Sequence, residues 1–99
     1  MIKVSLHKKT IRTLCRELGV ERCDVFGSAT GSDFGPSSDI DVVVRFNRKQ
    51  GRMFERYFEL KERLEKLFAR PVDIVLEDSI KNPYLRETIE RNRVNLYGS

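Results

Sequence analysis

The sequence predicts an α/β fold in which helices flank a small mixed β-sheet. Segments with the two-residue period of strands alternate with segments that have the 3.6-residue period of helices, without internal repeats or a linker. A helical segment long enough for a parallel crossover separates the second strand from the third, whereas a loop rich in Gly and Pro joins the first two. The 99 residues are expected to form one domain, over residues 1–99.

The first half of the chain is predicted to contain one helix and two strands. Apolar residues at helical spacing place the helix near residues 6–18, with Ser5 as its N-cap and Gly19 just beyond its end. Strands are expected at 21–26 and 39–46, where apolar and β-branched residues dominate.

The longest helix is predicted over residues 53–68, followed by a strand at 71–76. The crossover helix should bring this strand alongside the second strand, in parallel orientation. Large aromatic residues on an amphipathic helix usually pack inward, so four of them are expected in the core: Phe54, Tyr57, Phe58 and Phe68.

A last helix and a short strand are predicted to end the chain. Asn82 can cap this helix with Pro83 at its first position, and Leu85 and Ile89 should form its inner stripe. Residues 93–97 are expected to close the sheet. The arginines in this region alternate with glutamates and are interpreted as ordinary surface charge: Arg86, Arg91 and Arg93.

Composition is that of a globular protein without a membrane span. Charged residues make up 34% and apolar residues 39% of the chain, and no apolar run approaches the roughly 20 residues that cross a bilayer. A cytoplasmic location is expected. Cys15 and Cys23 lack the spacing of a zinc site or a disulfide framework, so both are predicted to be reduced, partly buried thiols.

Two aspartates at the start of the second strand form the first part of a candidate site. Asp39 and Asp41 are one residue apart, so in an extended strand they point to the same side, about 7 Å apart at the backbone. Mg²⁺ prefers one or two carboxylates together with substrate phosphates. The pair therefore predicts a divalent-metal site; the alternative is an acidic loop that leads into an edge strand.

The turn Gly27-Ser28 follows the first strand and forms the second part of the site. A small hydroxyl residue beside glycine lets backbone N–H groups approach an anionic oxygen closely. Together with the two acids, this turn predicts a site for a nucleotide and its metal. Taken alone it is an ordinary turn.

A third aspartate interrupts the apolar strand at 71–76. Asp73 would join Asp39 and Asp41 if the two strands are neighbours, and three converging carboxylates require cations to neutralise them. The alternative is a simple ion pair between Asp73 and an arginine such as Arg70 or Arg45.

This pattern resembles the minimal nucleotidyltransferases of the DNA polymerase β superfamily, which are often antitoxin partners of HEPN-domain toxins. The resemblance covers about residues 5–98 and includes the stretches 54–61, 81–86 and 96–98. It implies a polymerase-β-palm-like nucleotidyltransferase fold and a cytoplasmic hetero-oligomer with a HEPN toxin.

The resemblance also implies roles for the candidate residues. Asp39 and Asp41 would hold two Mg²⁺ ions, Gly27 and Ser28 would contact the phosphates of ATP, and Asp73 would share the metal site and activate the attacking hydroxyl. The implied reaction is transfer of AMP to a tyrosine of the toxin.

The sequence departs from the family pattern at Gly31-Ser32, where members commonly have Arg-Gly. An arginine there could bind phosphate through two parallel hydrogen bonds. Without it, a second hypothesis stays open, in which the protein inhibits the toxin by binding alone. Transfer to RNA or to a small molecule is a weaker third possibility, because 99 residues leave no room for a further substrate domain.

The net charge of +4 is concentrated in part in residues 45–52, which contain four cations and no acid. This basic run fits a triphosphate or an acidic partner, or is simply a solvated loop. No groove-reading or RNA-stacking motif accompanies it, so nucleic acid is not the expected partner.

Overall fold

The computed structural model describes residues 7–26, 39–47, 49 and 51–98. Within these ranges the elements are α1 (Lys8–Glu17), β1 (Val20–Phe26), β2 (Ile40–Phe46), α2 (Met53–Phe68), β3 (Val72–Leu76), a short 3₁₀ turn (Glu77–Ser79), α3 (Pro83–Asn92) and β4 (Val94–Gly98). The predicted Gly27-Ser28 turn, the loop at 29–38 and the Ser5 cap lie outside the described residues. None of the described helices is long and apolar enough to cross a membrane.

The four strands form one sheet in the order β3-β2-β1-β4. β2 and β3 are parallel and are connected through α2, whereas β1 runs antiparallel to both β2 and β4. This confirms the predicted mixed sheet and the crossover between neighbouring strands. β3 and β4 are therefore the two edge strands.

The face of the sheet that α1 and α2 cover carries the main core. Side chains from every second strand position pack with α1 residues such as Ile11 and Leu14 and with Leu60 and Leu64 of α2, all of which are 3% exposed or less. On the outer side of α2, Glu59 pairs with Arg63 and Glu62 pairs with Lys66, each four residues apart.

The other face carries a smaller core. Phe26, Val43 and Val75 of the sheet pack against Ile80 and against Ile89 of α3. Asn82 caps α3 by accepting hydrogen bonds from the backbone N–H groups of the next helical residues, as predicted.

Two predictions about buried apolar residues were wrong. Phe54 and Phe58 of α2 are 76% and 50% exposed, and Leu85 of α3 is 40% exposed. On α2, the core stripe contains Arg56, Leu60 and Leu64, and the two phenylalanines lie on a different side of the helix, four residues apart. On α3, Ile89 is the buried residue, and Leu85, one turn earlier, lies outside the core.

Arg56 of α2 takes an interior position, with only 9% of the residue exposed. Its guanidinium group donates hydrogen bonds to the carbonyl oxygens of Leu18, Gly19, Asn47 and Gly51, at 2.8–3.2 Å. It thereby ties the start of β1 to the end of β2. These acceptors are all neutral, and the group also lies over the Phe46 ring, 5.2 Å from its centroid, so its role here is structural.

Cys15 and Cys23 are free, as predicted, but both are fully buried. A hydrogen bond with Cys15 and burial raise the pKa of the Cys23 thiol well above its usual value. Neutral thiols are poor nucleophiles and poor metal ligands, so these side chains act as core residues.

Candidate active site

The register of the sheet places two of the three predicted acids opposite each other. Asp41 of β2 pairs with Asp73 of β3, and Phe26 at the end of β1 pairs with Asp41 from the other side. Residues paired across a sheet point to the same face. Phe26, Asp41 and Asp73 therefore form one row of side chains, the acidic row.

The acidic row lies on the face of the sheet opposite α1 and α2. Ile40 and Val72, one position earlier in their strands, point to the other face and are buried in the main core. This alternation fixes the direction of the acids, because a shift of one residue would put Asp41 and Asp73 into the apolar interior. Asp39 comes directly before β2 and is exposed.

The carboxylates of Asp39 and Asp73 are close enough to Asp41 for their charges to act on it. Burial raises the pKa of Asp41 above its usual value, and the negative charges of Asp73 and Asp39 raise it further. Asp41 is half-buried, whereas Asp39 and Asp73 are exposed. The site thus concentrates negative charge at one end of the sheet, which a divalent cation would neutralise.

The described residues do not contain a ready-made metal cage. Among residues 7–26, 39–47, 49 and 51–98, no three Asp, Glu, His or Cys side chains form a group that could hold a metal ion. The donors at hand are carboxylate oxygens, which match Mg²⁺ when substrate phosphates and water complete the coordination. The residues fit a metal that arrives with its nucleotide.

Helix α3 covers the neighbouring part of the same face. Ile89 and Ile80 pack on Phe26 and Val43, beside the acidic row. They close the sheet next to the carboxylates while leaving Asp73, on edge strand β3, accessible.

A buried ionic network fixes α3 and β4 to this face. Asp24 of β1, two positions before Phe26, is fully buried and accepts hydrogen bonds from Arg22, Arg93 and Asn95. Arg93 also donates to Glu77 and Glu90.

Arg93 therefore contradicts its interpretation as surface charge, because its side chain is only 6% exposed. Burial alone would lower the pKa of Arg93, but its hydrogen bonds to Glu77 and Asp24, together with the nearby negative charge, raise that pKa above its usual value. The signal for this network was an acid inside an apolar strand, the same signal that identified Asp73.

Arg45 and Arg52 of the basic run at 45–52 do not flank the acidic row. Arg45 lies four residues along β2 from Asp41, about 13 Å away at the usual rise of a strand. It pairs with Glu21, and Arg52 pairs with Glu55. The run starts at the opposite end of β2, so these two cations are not positioned beside the carboxylates.

A groove of the described residues lies on the opposite side of the sheet. It has a volume of about 570 Å³ and is lined by Lys9, Thr10, Thr13, Leu14, Arg63, Lys66 and Leu67. Arg63 is paired with Glu17 and Glu59, and Lys66 with Glu62, so these two cations are already neutralised. The chemistry of the acidic row outweighs the size of this groove in locating the site.

The sheet is mixed, and it carries Asp39-x-Asp41 at the start of β2 and Asp73 on the parallel strand β3. This combination is typical of enzymes that transfer nucleotides. The chain belongs to the nucleotidyltransferase domain family, whose model matches residues 7–96. It is a nucleotidyltransferase.

Relatives in two archaea support this assignment. A protein of Methanocaldococcus jannaschii, whose name proposes protein adenylyltransferase activity, is 34% identical over 88 residues, 89% of this chain and 85% of the relative. Protein adenylyltransferase MntA of Thermococcus cleftensis is 33% identical over 79 residues, 80% of this chain and 75% of the relative.

Solved structures share the fold. One proposed to be a minimal nucleotidyltransferase has a TM-score of 0.76 and 33% identity, covering 92% of this chain and 90% of the other. A toxin–antitoxin structure with AMP-PNP has a TM-score of 0.71 and 21% identity over 99% and 75% of the two chains. A third structure contains a tri-AMPylated Shewanella oneidensis HEPN toxin in complex with MNT antitoxin. It has a TM-score of 0.66 and 21% identity, covering 97% of this chain and 73% of the other.

Proposed function

We propose that this protein transfers AMP from ATP to a tyrosine hydroxyl of a HEPN-family toxin and thereby acts as its antitoxin. The observation that carries the proposal is the acidic row, in which Asp41 and Asp73 are register partners and Asp39 adds a third charge. The relatives named as protein adenylyltransferases support the transferred group and the protein acceptor. The AMP-PNP complex of a structural neighbour supports ATP as the donor.

Asp39 and Asp41 are proposed to hold two Mg²⁺ ions. Asp73 is proposed as a further ligand of this metal site. When bound, the ions supply charge neutralisation at the α-phosphate and at the departing pyrophosphate. The raised pKa of Asp41 supports this role, because carboxylates that repel one another gain most from a nearby cation. Gly27 and Ser28 stay predicted contacts of the phosphates.

Asp73 is proposed to act on the acceptor. Its carboxylate accepts the proton of the tyrosine hydroxyl as the phenolic oxygen forms a bond to the α-phosphorus of ATP. The bond from that phosphorus to the bridging oxygen breaks, and pyrophosphate leaves with the electron pair. Asp73 suits this step because it is exposed on an edge strand, where a second protein can approach it.

The partner is proposed to form a hetero-oligomer with this chain, as the HEPN and MNT proteins of the Shewanella complex do. An ATP-dependent reaction also fits the cytoplasmic location that the sequence predicts.

Co-expression with the proposed HEPN-family partner tests the proposal. The wild type should add adenylyl groups to a tyrosine of the partner, seen by mass spectrometry, and should protect the cells. The Asp39→Asn/Asp41→Asn double variant should do neither, whereas Glu62→Gln, on the exposed side of α2, should behave as wild type. Modification that persists in the double variant contradicts the proposal; protection without modification supports inhibition by binding alone.

A further inference from the structure

Edge strand β3 presents unpaired backbone groups beside the acidic row. The N–H of Ile40 donates to the carbonyl of Pro71, and the parallel register continues from there. In a parallel ladder this arrangement directs the backbone groups of Asp73 and Val75 toward β2. Those of Val72, Ile74 and Leu76 consequently point away from the sheet.

Helix α2 covers only the first of these outward positions. The N–H of Val72 donates to the Glu65 carboxylate at 2.9 Å, and Lys61 Nζ donates to the Val72 carbonyl at 2.6 Å. These bonds protect the start of the edge from pairing with another chain. Within the described part of the chain, Ile74 has no comparable partner on its outward side.

An exposed aromatic pair borders the uncovered part of this edge. Phe54 and Phe58 contact each other with ring centroids 4.7 Å apart, and they continue the helical stripe that contains Lys61 and Glu65. α2 runs opposite to β3, and its first residue, Met53, lines a small cavity together with Leu76 at the end of β3. The pair therefore lies toward the Ile74–Leu76 end of the strand.

We propose that an extended segment of the protein substrate pairs with this free edge of β3 and delivers the acceptor hydroxyl in the acidic row. A strand added beside β3 has one residue opposite Asp73, and its side chain points to the same face, about 5 Å away at Cβ. The row then reads Phe26, Asp41, Asp73 and the acceptor. This inference rests on the proposed function and specifies how the substrate reaches the site.

The chemistry of the edge also defines the segment. Side chains on either side of the acceptor point to the opposite face, where Phe54 and Phe58 offer apolar contacts toward the Ile74–Leu76 end of β3. The substrate should therefore present, in an extended conformation, a hydroxyl residue followed on the Ile74 side by an apolar residue. Backbone hydrogen bonds provide the affinity, and the alternating side chains provide the selectivity.

Residue-resolved amide exchange tests the pairing without requiring turnover. The Ile74 amide should exchange rapidly in the free protein and be protected about a hundredfold or more when the HEPN-family partner is bound. The amides of Asp73 and Val75, which already bond to β2, should be protected in both states. Unchanged exchange at Ile74 in the complex overturns the inference.

Kinetics of two variants provide a second test. Phe54→Ser/Phe58→Ser should raise the KM for the protein substrate about tenfold while leaving the KM for ATP unchanged. Val94→Ser, an exposed substitution on the opposite edge strand, is the matched control and should change neither. An unchanged KM for the protein substrate in the double variant contradicts the docking surface.

The outcomes separate this inference from the proposed function. If Asp41→Asn abolishes transfer but the aromatic variant and Ile74 exchange show no effect, only the docking surface is wrong. If Asp41→Asn does not impair transfer, the proposed function fails instead. Sedimentation of the isolated chain should show a monomer; a dimer that Phe54→Ser/Phe58→Ser dissociates means that a second copy occupies the edge, which overturns the inference.

Discussion

Asp41 and Asp73 are paired across two parallel strands, and the charge of Asp73 adds to burial in raising the pKa of Asp41. The two residues are separated by a helix and two loops in the sequence, so the crossover through α2 alone brings them together. This pairing turns two isolated acids into a site.

The pKa of the Asp41 carboxyl should be above the ordinary value for aspartate, about 3.9. Replacement of Asp73 by Asn removes one repelling charge and should lower the pKa of Asp41, while leaving some elevation from burial and from Asp39. Carboxyl-carbon NMR titration of the metal-free protein measures both values. An Asp41 pKa that is identical in the wild type and in Asp73→Asn would show that the carboxylates do not interact.

Asp41→Asn should make the metal-free protein more stable at neutral pH. The folded state raises the pKa of Asp41, so it binds this proton more tightly than the unfolded chain, and stability is lost as pH rises through the folded pKa. Asparagine carries no charge and avoids that loss. Urea unfolding of both proteins should show the advantage at pH 7 and its disappearance below about pH 4. A less stable variant at pH 7 would contradict this sign.

Arg93→Met should destabilise the fold by about 3 kcal/mol or more, because it removes the central cation from a buried network and leaves Asp24 with fewer partners. Arg91→Met is the matched control: two residues earlier, Arg91 is 74% exposed and pairs with Glu87. Its replacement should cost less than about 0.5 kcal/mol. Equal urea midpoints for the two variants would show that the network contributes little.

The sequence predicts the sheet and the candidate acids well because both follow from local periodicity. Strand alternation directs Asp41 and Asp73 to one face, and the length of α2 predicts that β3 lies beside β2. Both statements need only spacing along the chain. The structure bears them out, although the roles of these acids stay a proposal.

The remaining features depend on contacts that spacing does not encode. Asp24 and Arg93 are 69 residues apart and meet only because β4 pairs with β1. The exposed positions of Phe54 and Phe58 could have been predicted from their angular separation from Leu60 and Leu64, since the stripe of the two phenylalanines also contains Lys61. Their aromatic character alone predicted burial, which was wrong.

The rate of adenylyl transfer in a single turnover tests the central claim most directly. With Mg²⁺ and ATP labelled at the α-phosphate, Asp41→Asn should transfer label to the partner about a thousandfold or more slowly than wild type, because it removes charge without changing side-chain volume. Asp73→Asn should lose about 10²–10⁴-fold, the usual contribution of a general base. Label transfer by folded Asp41→Asn at the wild-type rate would contradict the assignment of catalysis to the acidic row.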